Sequence, residues 1–253
     1  MELNVSTSFR YHNTSLENIT ATLLLPVVPV VVASASGGVV AEVLPNQGHA
    51  AMTVSASYIL WGLGQTFSFF ALATYFLRLQ VHDLPPREAI VSVFLPIGPF
   101  GQGGFAILQL GRVALGVFSD RPTDGTMVGT VFYAIGLLTA LLMSGAALGW
   151  LSFALISILT AKGFPFNMGW WGFTFPLGVC ATCTGLLAKE LSSPFFKAVT
   201  MVNSSGTRYA LAGADGSSRC SPYPCCCSGW LWLRRQSSSS SPETCSSRPA
   251  RES

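Results

Sequence analysis

The sequence predicts an all-α integral membrane protein of about five transmembrane helices, and three observations predict it. Half of the 253 residues are hydrophobic, a tenth are charged, and the mean hydropathy is +0.49, outside the range of soluble globular chains. Five apolar runs follow one another, each reaching the ~20 residues that a helix needs to cross hydrocarbon. Proline stands inside the first, third and fifth of these runs and is missing from the second and fourth. That alternation suggests a repeated pair of one bent and one straight helix, with the bent members facing a common axis.

Residues 1–20 are polar and lack the apolar core of a cleaved leader, so the first apolar helix is expected to act as its own insertion signal. Three acceptor-like triplets, at Asn4, Asn13 and Asn18, lie there and are read as silent. The first span, about residues 21–44, contains Pro26 and Pro29 and a run of small residues from Ala33 to Gly38 that permits close helix approach. Its one charge, Glu42, sits near the end and reads as an interfacial carboxylate rather than a buried proton carrier.

The second span, about residues 50–77, ends in Tyr75 and Arg78, an aromatic and then a cation at the expected boundary. Arg78 and Arg87 flank His82 and Asp83 in the next loop, which the positive-inside rule puts in the cytoplasm; His82 reads as a solvated loop residue. The third span, about residues 89–111, is the stretch around which the rest is organised. It is long and apolar, yet carries Pro96, Gly98, Pro99, Gly101, Gly103 and Gly104, which are expected to break the helix. In hydrocarbon a break survives only where protein or a watery cavity faces it, which makes this stretch a pore or substrate signal. Arg112 is a cation beside an anion route if the helix runs on to Phe118, and a snorkelling residue if it stops.

The fourth span, about residues 127–161, exceeds what a membrane needs and must tilt or project. Gly145 and Gly149 offer a GxxxG packing face in it. The fifth, about residues 167–187, opens on Trp170 and Trp171 and is interrupted by Pro176. Residues 201–253 are rich in serine, cysteine and arginine and read as a disordered tail with the composition of an altered reading frame, although Cys225, Cys226 and Cys227 could accept palmitate.

Several functions fall away. The net charge of +3 is scattered, which argues against a nucleic-acid partner. Cys180 and Cys183 have CxxC spacing but no second pair and no histidine beside them, so they read as small packing residues; no metal and no cofactor is expected. An enzyme would need paired carboxylates or clustered histidines at membrane depth, and the spans offer only Glu42 and Arg112.

Two segments carry a family resemblance: LPPREAIVSVFLPIGPFGQGGFAILQLG, from Leu84 to Gly111, and FPFNMGWWGFTFPLG, from Phe164 to Gly178. With residues 12–46 and KELSSPFF at 189–196, they resemble the tellurite-resistance and dicarboxylate transporter family, which holds fungal sulfite efflux pumps, malic acid transport proteins and plant slow anion channels. The resemblance implies half of a ten-helix pore bundle, the five spans corresponding to family helices five to nine, with bent odd helices lining the pore. Residues 1–9 are then expected to have no family counterpart, and the last helix is expected to be missing. The resemblance also implies a phenylalanine gate on the ninth helix. Phe175, next to Pro176, and Phe173 are the candidates. On this reading Pro26, Pro29, Pro96, Pro99 and Pro176 make the bends and Gly98, Gly101, Gly103 and Gly104 line the pore.

The expected function is passage of small anions across the plasma membrane by a multi-pass protein, sulfite efflux first. Malate or another C4-dicarboxylate is the alternative cargo. A truncated fragment that transports nothing is the alternative of another class, and self-association into a homo-oligomer is a further option for half a ring.

Overall fold

The structure is a computed structural model that describes residues 21–81, 90–118, 125–160 and 171–214. The acceptor-like triplets, the loop holding His82, Asp83 and Arg87, Trp170 and the cysteine-rich end lie outside these residues. Six α-helices and two 3-10 turns make up the described residues: a turn at Ala21–Leu24, α1 (Val28–Val43), α2 (Gln47–Val81), a turn at Ile90–Phe94, α3 (Ile97–Val117), α4 (Gly125–Thr160), α5 (Trp171–Glu190) and α6 (Pro194–Ala214).

Hairpin pairing organises them. α1 packs most extensively on α2, α3 on α4 and α5 on α6, and α3 also lies against both α1 and α5. The result is an inner row of α1, α3 and α5 with α3 in the middle, and α2 and α4 outside it. Burial follows the same division: 83% of the apolar window through α3 is buried, against 33% and 28% for those of α2 and α4. The outer helices turn Ile59, Phe70, Leu138, Leu142 and Ile156 outward, which suits acyl chains rather than water. Among the described residues three helical segments, Gln47–Val81, Ser92–Val117 and Val128–Thr160, are long and apolar enough to cross a membrane. α1, at 16 residues, extends ~24 Å at 1.5 Å per residue, and a 3-10 turn precedes it.

The prolines act differently from the expectation. Pro29 is the second residue of α1, Pro96 caps α3 and Pro99 stands in its first turn. The first N–H groups of a helix have no partner in any case, so proline there costs no hydrogen bond. The predicted mid-membrane break of the third span is therefore a helix start, and Gly101, Gly103 and Gly104 lie within continuous helix. Pro176 is the interior one, five residues into α5, and it frees the carbonyl of Gly172.

The turn before α3 is anchored from α4, where the Trp150 indole N–H donates to the buried Val93 carbonyl at 2.8 Å. Trp150→Phe keeps most of the packing and orphans that carbonyl. A loss of about 1 kcal/mol is expected, read by thermal melting of the purified chain.

Two further expectations are corrected. The tail assigned to residues 201–253 begins too early, because α6 continues to Ala214. It is tied to α5 by Thr200 Oγ1 donating to Thr184 Oγ1 at 3.0 Å and by buried Asn203, whose Nδ2 donates to the Cys180 sulfur at 3.6 Å. A helix thus follows α5 where none was expected. The GxxxG of α4 faces away from the neighbouring helices, since a Cβ at Gly145 or Gly149 would meet nothing within 4 Å. α4 meets α3 through Gly129 and Gly136 instead, whose added Cβ atoms would lie 3.0 Å from the Ala114 carbonyl oxygen and 2.8 Å from that of Ile107.

Candidate functional site

Small residues bring the inner row together. A Cβ on Gly101 would stand 2.8 Å from the backbone nitrogen of Cys180 and 3.0 Å from its Cα, so α3 and α5 touch backbone to backbone. A Cβ on Gly103 would collide with the Gln65 amide oxygen of α2, and the Trp61 indole donates to the Gly103 carbonyl at 2.9 Å. One on Gly104 would sit 2.8 Å from the Cys183 sulfur. These three glycine faces are occupied by protein. Cys180 and Cys183 are buried free thiols in that packing.

Gly98 differs from them. The ring of Phe175 lies over it, and a Cβ there would come 3.1 Å from the Phe175 Cε1 atom. Phe175 is 39% exposed, whereas Phe173, two residues earlier, is 8% exposed and packs edge-on against Phe94 with ring centroids 4.7 Å apart. The two aromatic candidates are thus separated by environment: Phe173 is core, and Phe175 is a ring held against a glycine beside Pro176. Pro96 and Pro99 belong to the same end of α3 as Gly98, and Pro26 and Pro29 to the corresponding end of α1.

All charge on the inner row collects at its other end. α1 carries Glu42, α3 carries Arg112, α5 carries Lys189 and Glu190, and the rest of these three helices is uncharged. α3 runs on to Val117, so Arg112 lies within helix with a turn beyond it. Its Nε meets Glu190 Oε1 at 2.9 Å, and its Nη1 donates to Gln109 Oε1 at 3.2 Å. Gln109 Nε2 donates to Glu42 Oε2 at 2.7 Å, and the Tyr133 hydroxyl of α4 donates to Glu190 Oε2 at 2.7 Å. Burial and the neighbouring Arg112 guanidinium hold the Lys189 ammonium below the usual lysine range. A cavity of about 650 Å³ opens here, lined by Glu42, Arg112, Tyr133 and Glu190 together with Gln47 and Pro45.

Of these partners the sequence offered Glu42 and Arg112. Gln109 had a usable signal, its i,i+3 spacing to Arg112 on one helix face. Glu190 and Tyr133 had none, since only folding brings α5 and α4 to this end of α3.

Residues 3–207 match the family described as SLAC1, voltage-dependent anion channel. The chain belongs to this family. The match begins at residue 3 and ends inside α6, so most of residues 1–9 and residues 198–207 of α6 have the family counterparts that were not expected of them. The chain is 51% identical over 185 residues to the sulfite efflux pump of Arthroderma benhamiae, covering 73% of this chain and 49% of that protein. It is 26% identical over 191 residues to the sulfite efflux pump of Saccharomyces cerevisiae, covering 64% of this chain and 42% of the yeast protein. An uncharacterised transporter of Methanocaldococcus jannaschii is 26% identical over 184 residues, covering 72% of this chain and 50% of its own length. The chain thus spans about half the length of the curated relatives it matches. No solved structure matches it. The SLAC1 match makes this a multi-pass membrane protein of an anion-conducting family, in agreement with the resemblance read from residues 84–111 and 164–178.

Proposed function

We propose that the chain carries small anions, sulfite first, out across the plasma membrane. The observation that carries this reading is its half-identity, over 73% of the chain, to a sulfite efflux pump within the SLAC1 family. The geometry suits the task. An inner row without a fixed charge between the starts of α1, α3 and α5 and their far ends gives an anion nothing to bind too tightly. The aligned amino-terminal ends of those helices attract it weakly through their dipoles. Phe175 over Gly98 is the gate in this reading, a ring that blocks the route until it rotates, and Pro176 supplies the loosened backbone beside it.

Expression of the full chain in a sulfite-hypersensitive fungal strain is the test. The expected result is a several-fold rise in the sulfite concentration that halves growth, with the chain located at the plasma membrane. Unchanged sensitivity in cells that carry the chain there would overturn the reading. Malate release without relief from sulfite would reassign the cargo to dicarboxylates.

A further inference from the structure

We propose that Arg112 docks the permeating anion, a small oxyanion, in the cavity at the charged end of the inner row, and that Glu190 keeps this binding weak. The inference rests on the reading above that the chain moves small anions. Four observations carry it.

First, Arg112 is a cation that its own partners do not saturate. A guanidinium has five N–H groups. Nε–H is taken by Glu190 and one Nη1–H by Gln109; the other three have no hydrogen-bond partner among the described residues. Second, the group is held still. Glu190 is fixed in turn by Tyr133, and Gln109 by Glu42, so four helices set the direction of one side chain. A fork pre-set in this way suits the paired oxygens of an oxyanion.

Third, the side chains of Arg112 and Glu190 are 26% and 18% exposed and both line the cavity, whose 650 Å³ holds about twenty waters at ~30 Å³ each. A small oxyanion enters with part of its hydration. Fourth, two carboxylates, Glu42 and Glu190, balance two cations, Arg112 and Lys189. A neutral cluster with one unsaturated guanidinium attracts an anion without trapping it, as conduction requires. Glu190 is accordingly a positioning residue: it aims Arg112 and offsets its charge.

The full chain in nanodiscs of zwitterionic lipid is titrated with sulfite, and binding is followed by thermal shift. Wild type is expected to show a saturable response. Glu190→Gln removes the offset and is expected to tighten binding roughly five- to tenfold. In transport it should lower both the half-saturating sulfite concentration and the maximal rate, since release slows. Arg112→Gln alone leaves Glu190 without its cation and risks misfolding. The double variant Arg112→Gln, Glu190→Gln has neither charge, and it is expected to fold and to lose the response.

Equal affinity in wild type and the double variant would overturn the proposal. So would weaker binding in Glu190→Gln, the result for a merely structural ion pair. A response that appears only when the discs contain anionic lipid would assign Arg112 to a headgroup and would also overturn it. Because binding is read on the purified chain, Arg112-dependent binding without sulfite relief in cells upholds the docking site and sinks only the transport reading.

Discussion

Gly101→Val is expected to abolish the folded protein. The Cβ of any residue at this position would meet the backbone of Cys180 at 2.8 Å and 3.0 Å and the Val179 carbonyl carbon at 3.0 Å. Backbone cannot turn aside as a side-chain tip can, so α3 and α5 would have to part. Overpacking by a single methyl in a tight core typically costs 1–3 kcal/mol, so Gly101→Ala should lose about that much, and the two further methyls of valine should exceed it. A domain with marginal stability does not absorb such a change. Gly145→Ala is the control. Nothing lies within 4 Å of its added Cβ, and replacing a helical glycine gains about 0.5–1 kcal/mol by propensity alone. The measurement is the yield and melting temperature of monodisperse protein in detergent. Wild-type yield from Gly101→Val, or a loss from Gly145→Ala as large as that from Gly101→Ala, would show that the α3–α5 contact is not as close as described.

The second large effect separates two residues of one tetrapeptide, FTFP. Phe173→Ala is expected to cost about 3–5 kcal/mol, the usual range for a buried aromatic. It removes a ring that is 8% exposed and packed edge-on against Phe94. Phe175→Ala removes a ring that is 39% exposed and rests on Gly98, so its cost in stability should be much smaller. If Phe175 is the gate, as proposed, its effect lies in flux. Sulfite flux through Phe175→Ala liposomes is expected to rise at least about tenfold, which corresponds to lowering a barrier by about 1.4 kcal/mol. Unchanged flux in a stable Phe175→Ala protein would remove the gate from this position. A Phe173→Ala protein that melts with the wild type would show that its ring is not part of the core.

Much of the fold could be read before folding was considered. The order of spans, the greater length of the second and fourth, and the confinement of proline to odd-numbered segments all reappear in α1 to α5. Proline and glycine in an apolar run do not by themselves mean a break. Pro96 and Pro99 look like interruptions of a helix because the apolar run extends on both sides of them. Hydropathy does not distinguish a 3-10 turn from an α-helix, and the boundary at Leu95 is invisible to it. In the linear sequence the four glycines read as backbone open to an ion. Three of the four are occupied instead by Cys180, Gln65 and Cys183, partners that lie 38 or more positions away in the chain.

α6 is hard to read in the sequence for a related reason. Its sequence, PFFKAVTMVNSSGTRYALAGA, is not apolar enough to stand out as a span, and its helix depends on a partner surface. Thr200 and Asn203 find that surface on α5. Gly145 and Gly149 show the opposite failure, a correct spacing on a face that nothing covers among the described residues.

Membrane insertion, helical class and the division into short and long helices follow from local chemistry: apolar side chains must leave water, buried backbone must bond to itself, and proline tolerates only certain positions. Those demands are met residue by residue, so a linear reading suffices. The meeting of Glu42, Gln109, Arg112, Tyr133 and Glu190, and the different fates of Phe173 and Phe175, depend on which faces of four helices are turned together. That choice is made by close contacts at Gly101, Gly104, Gly129 and Gly136, each with a partner far away in sequence. Only the assembled bundle decides it, because complementarity between two helix surfaces is a property of the pair and of neither helix alone.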